Sequence, residues 1–368
     1  MILTGEWFYS LSAYMRYTIL CKGMMKDNKV HVFWTYQDAP DHFSPGHPES
    51  PDRLSVFKDW ITHSPYPAME RLDYAPARPG DLILAHSQKM IESLQAECGQ
   101  GVHEIELAPT YVTAASFQAA LGAAGATLAV SRRILAEGTG RGFAIVRPPG
   151  HHATHERSMG FCLFNNLAIA AADAVIGGLS RVAIFDFDAH HGNGIEDVFW
   201  HTDQVGYCSI HEQGLYPGTG QVEAAPHARG RLINIPVPAF SGTKTFGQIF
   251  DQVAVPWLKA FQPEMLFIAA GYDAHFSDPL TSLTVNTQGF FTLTQKLIKL
   301  ADELTEGRIL FALEGGYDPL ALSDNLQASL AALSGEEDYP DHYGKGPNQF
   351  RPVASLVETI RKYHYLQE

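Results

Sequence analysis

The stretch Arg181-Val182-Ala183-Ile184-Phe185-Asp186-Phe187-Asp188-Ala189-His190-His191-Gly192-Asn193-Gly194 decides the fold. Its first half is apolar without alternation, which is how a strand reads when both faces of its sheet are covered. Its second half is polar or small, so core gives way to chemistry where the strand ends. Further apolar runs share this character: Val30 to Thr35, Gly142 to Val146, Val205 to Ile210, Leu232 to Ile235, Met265 to Ala270 and Ile309 to Leu313. Between them, amphipathic stretches predict helices at Thr113 to Glu137, Asn165 to Ile176, Thr245 to Phe261, Gln288 to Glu306 and Pro319 to Leu333. In the fourth, Phe290, Leu293, Leu297, Leu300 and Leu304 recur at helical spacing, with Thr287 as N-cap and Gly307 just past the end. This alternation predicts an α/β fold, a single domain whose central parallel sheet carries helices on both faces. In such sheets ligands gather outside the carboxyl ends of the strands. The conspicuous polar residues fall there: Pro148-Pro149-Gly150-His151-His152, Asp186 to His191, Ser209 with His211, Gly271-Tyr272-Asp273, and Glu314-Gly315-Gly316-Tyr317.

Length alone, 368 residues, allows about two domains, but no repeat, low-complexity tract or linker-like composition divides the chain after Val30. We expect one domain over 29–368, preceded by a loosely ordered extension over 1–28. With 45% hydrophobic and 18% charged residues, the composition is that of a soluble globular protein and excludes a disordered, collagen-like or coiled-coil chain. Lys and Arg number 26 against 40 Asp and Glu, a balance of −14. That argues against a nucleic acid or an anionic membrane held by bulk attraction to phosphate. No apolar stretch approaches the ~20 residues of a membrane span, and no signal-peptide pattern opens the chain. Cys21, Cys98, Cys162 and Cys208 lack the paired spacing of a zinc knuckle or disulfide framework. The expectation is a cytoplasmic protein.

Asp188 and His190 stand one residue apart as a strand ends, so both side chains can project to one side and share a metal. Asp273, at another strand end, completes a two-carboxylate, one-imidazole set with a position left for water. Taken alone, an Asp-x-His pair reads more readily as a capped turn beside a buried histidine, and its surroundings favour the metal. His151 and His152 follow a Pro-Pro-Gly turn that presents two imidazoles able to titrate near neutral pH. Asp186 and Asn193 flank the metal motif, where each can receive a ring N–H from one of the pair. A carboxylate raises a histidine's pKa more than an amide does, so the histidine facing Asn193 is expected to be the less basic. Tyr317 follows Glu314-Gly315-Gly316, whose glycines permit backbone angles closed to other residues. Its uncharged hydroxyl suits the oxyanion of a tetrahedral intermediate.

Five stretches in register carry a resemblance: Arg-Pro-Pro-Gly-His-His-Ala from Arg147, Gly-Phe-Cys-Leu-Phe-Asn-Asn from Gly160, Asp-Phe-Asp-Ala-His-His-Gly-Asn-Gly from Asp186, Ala-Gly-Tyr-Asp-Ala from Ala270 and Leu-Glu-Gly-Gly-Tyr from Leu313. From about Val30 to Leu333 the sequence resembles the zinc-dependent histone deacetylase family. Asn193 and the Glu-Gly-Gly-Tyr form are similar to its class II-like branch, which includes bacterial histone deacetylase-like amidohydrolases. The resemblance implies the arginase/deacetylase fold and hydrolysis of an N-acetyl amide. It implies zinc on Asp188, His190 and Asp273, with His152 as general base. His151, paired with Asp186, would give electrostatic support and help protonate the leaving amine, and Tyr317 would polarise the acetyl carbonyl. Gly160, Phe161, Tyr216 and Leu280 match positions lining a narrow acyl-lysine tunnel, Tyr216 standing where a Phe is usual. Arg53, in His47-Pro48-Glu49-Ser50-Pro51-Asp52-Arg53, matches the arginine associated with acetate release.

Two potassium sites are also implied. One uses Asp186, the backbone around Asp188 and His190, and Ser209; the other uses Phe199, Thr202 and Val205. The binuclear arginase branch needs carboxylates two residues beyond the histidine and aspartate ligands, where this chain has Gly192 and His275. A carboxylate-rich set also accepts iron or cobalt. The expected substrate is an acetylated lysine of a protein or peptide, or a small acylated amine. The nearest rival is an acetylpolyamine amidohydrolase. Leu280 stands where a polyamine-selective relative has a glutamate, although Glu104 and Glu106 can supply charge. An acetoin-utilisation type deacetylase and a non-catalytic acyl-lysine binding protein are the others.

Overall fold

The computed structural model describes residues 31–62, 66, 69–106, 109–347 and 350–366. The expected extension over 1–28 lies outside them. Eight strands build the main sheet: β1 (Val32–Gln37), β2 (Met69–Arg71), β3 (Arg141–Val146), β4 (Val182–Asp186), β5 (Val205–Glu212), β6 (Leu232–Val237), β7 (Met265–Ala270) and β8 (Ile309–Leu313). Their spatial order is β2-β1-β3-β8-β7-β4-β5-β6, and every pairing is parallel.

The apolar runs do not alternate because successive side chains enter two different cores. Ile184, Ala144, Phe267 and Leu310 pack with the helices Ser116–Glu137 and Asn166–Ile176. Their neighbours Phe185, Phe143, Ile268 and Phe311 pack with Thr287–Leu304 and Pro319–Ser334. Helices therefore cover both faces, as the alternation predicts. No helix among the described residues is long and apolar enough to cross a membrane.

Two local expectations are corrected. The N-cap of the helix Thr287–Leu304 is Asn286, whose side chain accepts from the Gly289 N–H at 3.0 Å, one residue ahead of Thr287. The stretch expected as one helix over Thr245 to Phe261 is broken into Thr243–Ile249, a π-helical turn Phe250–Ala254 and Val255–Phe261. Pro256 lacks the N–H that would continue the i−4 ladder, and the wider turn precedes it. Sequence periodicity also passed over short elements, among them edge strand β2 and the helix Asn193–Val198.

Register brings the strand ends together. Asp186 of β4 lies opposite Ala269 of β7 and Ser209 of β5, while Leu313 of β8 lies opposite Ala270. With β3 beside β8, the segments after Val146, Asp186, Ala270 and Leu313 leave one rim side by side.

Candidate metal centre and its pocket

Asp188, His190 and Asp273 offer one ligand atom each, all within 4.8 Å of one another. His190 Nδ1 lies 3.1 Å from Asp188 Oδ1 and 2.9 Å from Asp273 Oδ2. The opposite carboxylate oxygens are fixed by backbone: Gly315 N–H donates to Asp188 Oδ2 at 2.8 Å and Ala189 N–H to Asp273 Oδ1 at 2.8 Å. Glycine is needed around them, since a Cβ at Gly271 would come within 2.0 Å of Asp188 Oδ2 and one at Gly315 within 2.2 Å of Asp273 Oδ2. Both aspartates are fully buried.

Burial opposes ionisation of Asp188, but the charges of His151 and His190 outweigh it and hold the carboxyl below the usual range. Burial and the charge of Asp188 push Asp273 up to about 6. Burial would lower His190, yet its bonds to Asp188 and Asp273 raise it to about 10. Two carboxylates thus converge on a centre that favours positive charge, and one imidazole nitrogen faces the same point. This donor set fits a divalent cation. No other group of three or more His, Cys, Asp or Glu ligands meets the same geometry among the described residues. At the positions a second metal would need, His275 bonds to Ser277, and a Cβ at Gly192 would lie 2.3 Å from Asp186 Oδ2.

The histidine pair stands beside this centre, ring centroids 4.0 Å apart. His151 Nδ1 lies 3.1 Å from Asp186 Oδ2, and His152 Nδ1 lies 2.8 Å from Asn193 Oδ1. Asn193 donates its amide N–H to Met159 Sδ at 3.4 Å, so its oxygen faces His152 as an acceptor. The proton of neutral His152 therefore sits on Nδ1, and Nε2 keeps a free lone pair. Burial lowers His151, but the charges of Asp188 and Asp186 more than reverse it, to about 10. Burial, followed by the charges of His151 and His190, pushes His152 well below the ordinary value. The less basic histidine is the one facing Asn193, as expected, though the cause differs: Asn193 itself raises the value, and burial, the largest effect, decides it.

Glu314 holds the turn that presents the pair. Its Oε2 accepts from Gly150 N–H at 2.6 Å and His151 N–H at 3.0 Å. Arg53, fully buried, donates Nη2 to the Glu314 carbonyl at 2.6 Å and Nε to the Gly316 carbonyl at 2.7 Å, bracing the Gly315-Gly316 segment from beneath. Its guanidinium lies 4.7 Å from the Tyr317 ring centroid. Burial holds the Tyr317 hydroxyl well above its ordinary pKa, so it is a protonated donor. The backbone N–H of Tyr317 donates to Asp278 Oδ2 at 2.7 Å, and that of Leu280 to Asp278 Oδ1 at 2.9 Å.

Three of the four positions expected to line a tunnel, Gly160, Phe161 and Tyr216, stand beside the centre as well. Gly160 has φ +58, and a Cβ there would lie 2.4 Å from the His152 ring and 2.8 Å from that of Tyr216. Phe161 and Tyr317 meet edge to face at 5.8 Å. The tyrosine in place of a phenylalanine has a partner: Tyr216 Oη donates to Glu106 Oε1 at 3.1 Å, while Glu106 Oε2 accepts from Gly160 N–H at 3.2 Å and Thr110 Oγ1 at 3.0 Å. Asp278 and the positioning roles of Glu314 and Glu106 had no signal in spacing, because each holds a segment distant in sequence.

The sequence matches the histone deacetylase domain over residues 47–333. It is 36% identical over 358 residues to "Histone deacetylase 10, chloroplastic" of Oryza sativa subsp. japonica, covering 92% of this chain and 81% of that one. It is 34% identical over 280 residues to a "Probable deacetylase" of Archaeoglobus fulgidus, covering 74% and 77%. Among solved structures, the crystal structure of the HDA15 HD domain superposes with a TM-score of 0.79 at 28% identity, covering 92% of this chain and 97% of that one.

Proposed function

Because the chain belongs to the histone deacetylase family, we propose that it removes the acetyl group from a lysine side chain of a protein or peptide, using one zinc ion held by Asp188, His190 and Asp273. The observation that carries this reading is the convergence of those three ligand atoms within 4.8 Å beside a neutral imidazole. A cation there supplies Lewis-acid polarisation of the amide carbonyl and acidifies water. His152 Nε2 accepts the proton of the attacking water, oriented for that task by Nδ1–H donation to Asn193. His151, cationic beside Asp186, supports the developing negative charge and returns a proton to the leaving amine. The Tyr317 hydroxyl donates to the carbonyl oxygen as it gains charge. Gly160, Phe161, Tyr216 and Leu280 form the wall around the lysine stem, and Arg53 attends acetate departure. Iron or cobalt is chemically compatible with the same ligands.

Glu106 is the feature that speaks to an acetylpolyamine substrate, being carried to the tunnel wall. Its carboxylate already accepts from Tyr216, Gly160 and Thr110, and Leu280 leaves that wall apolar, both of which favour lysine. Comparison of kcat/KM on an acetyl-lysine peptide and on acetylputrescine tests the choice. The peptide should be preferred by at least about tenfold, a difference of ~1.4 kcal/mol in transition-state binding. Preference for the diamine would overturn it, and binding of the peptide without acetate release would point to an acyl-lysine reader. Equal turnover of small acylated metabolites would favour the acetoin-utilisation type.

A further inference from the structure

The two potassium sites expected by resemblance offer different things to a cation. At the first, His211 Nε2 lies 2.9 Å from the Gly220 carbonyl and so carries the ring hydrogen. Its Nδ1, 2.8 Å from Ser209 Oγ, must then accept from that hydroxyl. The Ser209 oxygen is left with lone pairs to give, on the residue opposite Asp186 in the sheet. This site is made of acceptors.

At the second, two of the three expected acceptors, the carbonyls of Phe199 and Val205, already face a cation. Arg231 Nη1 donates to the Phe199 carbonyl at 2.7 Å and points at the Val205 carbonyl at 3.4 Å, while Nη2 donates to the Trp200 carbonyl at 2.8 Å. Phe199 and Trp200 follow the helix Asn193–Val198, whose last carbonyls point out of its negative end and need donors. Arg231 reaches them from the residue before β6. Its backbone is locked into the sheet by Tyr207 N–H on its carbonyl at 2.9 Å, and it is only 8% exposed. A second donor, His227 Nε2, lies 2.8 Å from the Trp200 carbonyl. A guanidinium is permanently charged. An added ion among these oxygens would lie against a like charge, and the nearby carboxylate, Asp203 at 3.7 Å from Nε, is fully exposed. The residues present therefore do not fit a potassium ion at Phe199, Thr202 and Val205.

We infer that Arg231 is the resident cation of this carbonyl cage, so the chain takes up no potassium ion at Phe199, Thr202 and Val205. Crystals of the wild-type chain grown in rubidium chloride test this through the anomalous signal of rubidium. A peak beside Asp186 and Ser209 with none between Phe199 and Val205 is expected, and a peak between those two carbonyls overturns the inference. Arg231→Met keeps the stem but removes the charge and the donors. The variant should gain an extra upward shift in Tm on replacing sodium by potassium, beyond that of the wild type, and a shift equal to the wild type's overturns the inference. Should Arg231→Met fail to fold, the wild-type rubidium map decides alone.

Discussion

In the proposed mechanism the chemistry turns on His152, because its environment makes it neutral and its bond to Asn193 leaves Nε2 free. His152→Ala should lower turnover by about 10²–10⁴, the usual contribution of a general base, with zinc content unchanged. Unaltered turnover would remove it from that role. Asp278 acts through others, since its two oxygens hold the backbone of Tyr317 and of Leu280. Asp278→Ala leaves two donors without their acceptor, on the order of 1–3 kcal/mol, and should lower kcat on an acetyl-lysine peptide about tenfold to a hundredfold. Zinc analysed in the same preparation should remain stoichiometric, whereas loss of the metal would show that Asp278 serves the ligands instead. Asp188 and His190 stood out in the sequence as proposed ligands because residues two apart at a strand end share a direction, and His151 and His152 because they follow a Pro-Pro-Gly turn. Glu314 and Asp278 did not, as they work on backbone N–H groups 164 and 39 residues away.

At the level of elements, the strands were the most legible because burial on both faces leaves an unbroken apolar run. The helix interrupted before Pro256 was less so, since its apolar pattern continues through the π-helical turn. One connection offers a test of its own. The segment after the histidine pair is held by His86, from the loop before the helix Gln88–Cys98. Nδ1–H donates to the Thr154 carbonyl at 2.9 Å and Nε2 accepts from Asn165 N–H at 2.8 Å. That arrangement requires a neutral ring, and burial lowers its pKa from 6.5 to about 4. His364 is likewise lowered by burial to about 4. Between those pH values these two rings bind more protons in the unfolded chain than in the folded one, so their contribution to stability is present above pH 6.5 and is lost on acidification toward pH 4. At about 1.4 kcal/mol per unit, the two together are worth on the order of several kcal/mol. Urea unfolding across this range should show the wild type losing more stability on acidification than His86→Gln does. An unchanged slope would mean that His86 titrates alike in both states.

Across the whole molecule, the parallel sheet makes the site possible by delivering distant segments to one rim. Asp273 stands out in the sequence because it follows an apolar run within Ala-Gly-Tyr-Asp-Ala, and register brings Ala270, ahead of it, opposite Leu313 and Ala269 opposite Asp186. The tunnel and cation positions rest on the family resemblance alone, because they depend on contacts between loops that periodicity does not encode. That resemblance did not anticipate Arg231 filling a carbonyl cage or Tyr216 binding Glu106. The proposed single cation is tested most directly by adding zinc to metal-free protein while following acetate release from an acetyl-lysine peptide. Activity should rise in proportion to zinc and level off at about one equivalent, and Asp273→Ala should stay at baseline throughout. A break at two equivalents, or acetate release that persists in the presence of a chelator, would contradict a mononuclear centre on Asp188, His190 and Asp273.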